Sequence, residues 1–113
     1  MAYNELLADR IRKVLSDKRI SALEKKMMGG LCFMVDDKMC VGIIKNDLMA
    51  RIAPEFYDKA LTISGCRQMD FTGRVLKGFV LVEPQAIDLD SDLEYWIQHC
   101  LDFNPRAKSS KKK

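Results

Sequence analysis

The sequence is poor in the residues that perform chemistry. It holds one histidine and one tryptophan in 113 residues. The histidine, His99, has Tyr95 one turn back, and the nearest preceding acid, Glu94, is five positions away and off its face. Acid-base work requires a second oriented group and a shifted pKa, so His99 reads as a helix-surface residue. No apolar run approaches the ~20 residues of a membrane span. The stretch Met1 to Arg10 sets Glu5, Asp9 and Arg10 among its apolar residues, which excludes a signal-peptide core. Gly29-Gly30 lacks the following lysine and hydroxyl residue of a nucleotide loop, and the stretch from Gly73 to Gly78 matches no phosphate-binding pattern. Both read as turns or bulges.

Cysteine is present but without a framework. Cys32, Cys40, Cys66 and Cys100 are spaced by eight, 26 and 34 residues, none of them a zinc-pair spacing. With no secretory signal, four reduced thiols in a cytoplasmic protein are expected, with no metal and no cofactor. Cys66 lies beside Arg67, and a nearby cation lowers a thiol's pKa, but a plain loop cysteine is the simpler reading.

The formal charge of +3 divides unevenly along the chain. Residues 105–113 carry Arg106, Lys108, Lys111, Lys112 and Lys113 and no acid, so five of the 19 bases lie there. The remaining 14 bases stand against all 16 acids, which leaves −2 for residues 1–104. The division predicts one domain over 1–104 and a disordered basic tail over 105–113. A domain of this size buries on the order of 65% of its unfolded surface and needs no disulfide staple. Nucleic-acid contact is then limited to weak, salt-sensitive binding by the Lys-rich tail, and no membrane partner is expected.

What is present is apolar patterning. Leu7, Ile11, Val14 and Leu15 recur at helical spacing over residues 3–16, with Asn4 as N-cap. A strand is predicted over Leu23–Met28. From Leu31 to Ile52 the chain is strongly apolar apart from Asp36-Asp37 and Asn46-Asp47, two-residue breaks of the kind that close tight hairpins. Those turns set Phe33 against Cys40, Cys32 against Val41 and Ile43 against Ala50. One sheet face then carries Cys32, Met34, Met39, Val41, Ile43, Leu48, Ala50 and Ile52, with Lys45 at its edge. The other carries Leu31, Phe33, Val35, Cys40, Ile44 and Met49, with Lys38 and Arg51.

Pro54 opens a short helix to about Leu61. A loop over Thr62–Arg67 leads through Met69–Phe79 into a strand at Phe79–Val82, which Pro84 closes. A last helix, capped by Asp90, Ser91 or Asp92, carries the stripe Leu93, Trp96, Ile97, Cys100 and Leu101 and ends at Pro105.

Two blocks carry a family resemblance: Lys25-Lys26-Met27-Met28-Gly29-Gly30-Leu31-Cys32-Phe33 and Met69-Asp70-Phe71-Thr72-Gly73-Arg74 with Lys77-Gly78-Phe79. Through them, residues 1–104 resemble the N-terminal domain of the TfoX/Sxy family. Met28 stands where such proteins commonly have an aromatic, Asp37 where they have a turn glycine and Val75 where they have proline. The resemblance implies an α+β fold of the secretion-chaperone-like kind: two layers, an antiparallel sheet and three helices, in the order helix, strands, helix, strands, helix. Well-known members are bacterial regulators of natural competence that carry a second, C-terminal domain and act with a catabolite-activator transcription factor at promoters. The chain is expected to be a stand-alone N-terminal domain.

A non-enzymatic protein-interaction or regulatory domain is therefore expected. The alternative is a small ligand-binding protein or enzyme of unrecognised type. A two-layer fold covers one sheet face with helices, so the second apolar face, Leu31, Phe33, Cys40, Ile44 and Met49, is the expected interface. Its partner is a second copy or another protein. Arg67, Asp70, Arg74 and Lys77 form the candidate polar docking cluster. Met27, Met28, Met34, Met39, Met49 and Met69 lie in or near the sheet, where methionine gives adaptable packing.

Overall fold

A computed structural model describes residues 3–27, 29–71 and 74–107. Three helices, α1 (Glu5–Asp17), α2 (Pro54–Ala60) and α3 (Asp90–Phe103), accompany six strands: β1 (Leu23–Met27), β2 (Gly30–Val35), β3 (Lys38–Ile44), β4 (Asp47–Arg51), β5 (Cys66–Phe71) and β6 (Arg74–Val82). The strands form one antiparallel sheet in the order β1-β2-β3-β4-β6-β5. This is the predicted two-layer α+β class, with helices on one face of an open sheet.

Helix α1 begins where the sequence sets it: Asn4 Oδ1 accepts from the Leu7 N–H at 3.1 Å. Its buried face, Leu7, Ala8, Ile11 and Leu15, packs with Leu93, Trp96, Ile97 and Cys100 of α3 over the sheet. Each fully buried leucine, isoleucine or valine contributes about 1.5–3 kcal/mol. Pro54 sits in the first turn of α2 as predicted. At α3 the predicted cap is corrected: Leu89 is the N-cap and makes no side-chain cap bond, while Asp90 and Asp92 fall in the first turn. Their charge there complements the helix dipole.

The first hairpin turn is at Asp36-Asp37, both at positive φ (55° and 64°), as a primed two-residue turn requires. Beyond it the register departs from expectation. Val35 pairs with Lys38 and Met34 with Met39, but Phe33 then pairs with Val41 and Leu31 with Ile43. Cys40 is thus an extra residue on β3, a bulge. Everything N-terminal to it on β2 changes face relative to β3, because the side-chain period is two.

The second turn lies at Lys45-Asn46, not Asn46-Asp47, and sets Ile44 against Asp47 and Ile43 against Leu48. Lys45 takes a positive φ of 57°, held by the Asn4 N–H donating to its carbonyl at 2.8 Å. Moving the turn by one position changes each partner by two, so β4 side chains keep their predicted faces.

The predicted Thr62–Arg67 loop is shorter than expected, since Cys66 and Arg67 open a strand, β5. β6 begins at Arg74 rather than Phe79. The β5–β6 register shifts between Gln68 and Asp70. The folded chain also continues past residue 104. Asn104 to Arg106 form a 3-10 turn, Asn104 Nδ2 donates to the Val35 carbonyl at 3.2 Å, Arg106 pairs with Glu55 and Ala107 is buried. The expectation that the tail begins at 105 is corrected for residues 105–107; 108–113 lie outside the described residues.

Candidate interaction face

The bulge at Cys40 decides which side chains share a face. Leu31, Phe33 and Val35 join Val41, Ile43, Leu48, Ala50 and Ile52 in the main core beneath the helices, where Cys40 also lies. The helix-free face instead gathers Cys32, Met34, Met49, Met69 and Leu81, with Met39, Ile44 and Phe79 packed at its rim. The expected interface set is therefore divided. Leu31, Phe33 and Cys40 are covered by helices; Ile44 and Met49 lie on the opposite side. The two predicted face lists are corrected for the same reason: the apolar run of β2 suits either face, so pattern alone does not fix its register.

Cys32, Met34, Met49, Met69 and Leu81 are all at most 7% exposed within one chain, and among the described residues of this cluster Met39, Ile44 and Phe79 stay half-buried. Among the described residues the open apolar surface is a rim, not a full sheet face.

Charged groups close both ends of this layer. At one end Arg67 of β5 reaches across β6 to Asp47 of β4, with Glu83 3.9 Å away. Burial raises the Asp47 carboxyl, opposed by the Arg67 charge. At the other end the Arg51 guanidinium lies 5.3 Å from the Phe79 ring centre and 5.9 Å from that of Phe103. It also donates to the Met39 carbonyl at 3.4 Å. Burial lowers its pKa, and each such ring contact is worth roughly 0.5–2 kcal/mol. Of the docking cluster, Arg67 is placed by this pairing with Asp47; the side chains of Asp70, Arg74 and Lys77 lie outside the described residues.

His99 has an environment that its sequence position does not reveal. Its ring stacks on Phe56 at 3.8 Å and 3°, with Tyr95 edge-on at 4.7 Å. Burial holds its pKa below the ordinary value, against the Asp102 charge. The α2–α3 contact makes this stack, and sequence spacing within α3 alone carries no sign of it.

All four cysteines are free. Cys32 and Cys40 do lie on opposite faces, each on the one the other was predicted to occupy. Burial pushes Cys32 up to about 11, Cys40 to about 12 and Cys66 to about 11, so Arg67 does not activate Cys66. Among the described residues no group of three or more His, Cys, Asp or Glu is placed to hold a metal, and no helix is long and apolar enough to cross a membrane. The cleft between α1 and β1, about 370 Å³, is lined by Leu15, Ile20, Phe33, Arg12 and Arg19. Arg12 there is already bonded to Glu24 and Asp9.

An open antiparallel sheet, with helices on one side and a methionine-rich layer on the other, defines a small two-layer α+β domain whose distinguishing surface is the helix-free face. The sequence model of the TfoX N-terminal domain family matches residues 19–104. The chain belongs to this family. No curated protein and no solved structure matches it.

Proposed function

We propose that this protein is a non-enzymatic interaction domain of regulatory type, acting in the cytoplasm on another protein or on a second copy of itself. The rim of the helix-free face is the contact. The observation that carries this reading is the half-buried set Met39, Ile44 and Phe79 around a layer rich in methionine, the side chain best suited to adaptable surfaces. A rim of this size fits a transient contact better than an obligate dimer, whose interface is larger and more apolar. Membership of the TfoX N-terminal domain family supports a link to transcriptional regulation. DNA contact is left to the basic residues beyond 107, as weak, salt-sensitive binding.

Ile44→Asp tests the reading, because a half-buried position admits a carboxylate that a fully buried one does not. Tagged protein is recovered from its own cells and its partners quantified by mass spectrometry, with sedimentation of the purified chain at tens of micromolar beside it. The expected result is a partner, or self-association, that Ile44→Asp removes while far-UV circular dichroism stays unchanged. A partner retained by Ile44→Asp, or monomer alone with no partner recovered, would overturn it.

A further inference from the structure

We propose that the helix-free face contains a binding site for a soft monovalent metal ion, Cu(I), formed by the Cys32 thiolate and the thioethers of Met34 and Met49. The register builds it. Cys32 pairs with Gly42, and Gly42 pairs with Met49, so the three residues form one row across β2, β3 and β4. Gly42 has no side chain, and a β-carbon there would meet the Leu31 carbonyl oxygen at 2.6 Å, the Met49 methyl at 3.0 Å and the Cys32 α-carbon at 3.3 Å. Met49 therefore leans over β3 toward Cys32. Met34, two residues along β2 and on the same face, brings its sulfur to 3.7 Å from the Cys32 sulfur. Two sulfurs at that separation can share one ion at the roughly 2.3 Å of a metal–sulfur bond, with an S–metal–S angle of about 107°.

The donor set selects the ion. Thiolate with thioethers suits Cu(I), whereas hard cations require oxygen ligands, and the cluster of Cys32, Met34, Met49, Met69 and Leu81 offers none from its side chains. Charge selects it again. On binding, the Cys32 thiol releases its proton to solvent and the S–Cu(I) unit is neutral. A divalent ion would leave a net positive charge in an apolar layer, which is costly. The site is independent of the partner reading above.

The test is anaerobic titration of the full chain with Cu(I) in competition with bicinchoninate. Methionine-methyl NMR during Ag(I) titration reports the ligands directly. One equivalent is expected to bind, shifting the methyls of Met34 and Met49. Cys32→Ser should weaken binding by about 100-fold or more and Met34→Leu by about tenfold, with Cys66→Ser unchanged. Affinity lost in Cys66→Ser, affinity retained in Cys32→Ser, unmoved methyls or no binding at all would each overturn the proposal. Should Cys32→Ser fail to fold, Met34→Leu with Met49→Leu keeps core volume and the thiol and decides the matter by the same titration.

Discussion

Phe33→Ala asks directly whether the bulge at Cys40 sets the sheet. With a regular two-residue hairpin, Phe33 would lie on the helix-free face opposite Cys40; with the bulge it pairs with Val41 and lies 1% exposed in the core beneath the helices. Deleting a buried phenylalanine ring costs about 3–5 kcal/mol, more where the cavity stays empty. Phe33 also floors the open cleft beside Leu15 and Ile20, so solvent can enter the space left behind. That places the loss near the lower end, about 3 kcal/mol. With a urea slope of about 1.5–2 kcal/mol/M, the midpoint moves down by roughly 1.5–2 M. Trp96, the single tryptophan and 2% exposed in the same core, reports unfolding by fluorescence, with far-UV circular dichroism as the second probe. Ile44→Ala, at the half-buried rim, is the comparator and loses less. A loss below about 1 kcal/mol for Phe33→Ala, or a larger loss for Ile44→Ala, would refute the bulged register.

Three further outcomes follow from the same packing. Because burial depresses the folded-state pKa of His99, the unfolded chain protonates first. Stability from this group is present above about pH 6.5 and is lost as pH falls through the folded value. His99→Phe keeps a ring against Phe56 and should flatten the fall in melting temperature between about pH 7 and about pH 5, and an unaltered pH profile would show that His99 does not contribute. Ending the chain at Asn104 removes the Arg106 pairing with Glu55 and buried Ala107. The melting temperature should drop by several degrees, and no change would mean that residues 105–107 add nothing. Thiol titration should count four cysteines in denatured protein and show Cys66, the one not fully buried, reacting first in the native state; a count of two would sink the free-thiol assignment.

Local chemistry explains what could be read early. Asn4 before the Leu7, Ile11, Leu15 stripe specifies a capped helix within a few residues, and Pro54 can only open α2. Asp36-Asp37 tolerates positive φ and so marks the first turn. The α3 stripe is legible because one periodic face meets one core. Strand β5 was not legible: Cys66-Arg67-Gln68-Met69-Asp70 is mostly polar, and it pairs as an edge strand whose stability comes from β6. The folded residues after 104 were hidden because an Asn-Pro-Arg run resembles a terminus; its partners Val35, Glu55 and Lys38 are distant in sequence.

The candidate site divides in the same way. Sequence alone determined that methionines and cysteines concentrate between Met27 and Met69, that the sheet has two apolar faces and that the cysteines stay apart. Which side chains share the helix-free face was decided by one extra residue at Cys40. A bulge costs little in an apolar strand that can be buried either way. Only the helices packing on Phe33, Val41 and Ile43 make one register win, and with it bring Cys32, Met34 and Met49 together on the other side.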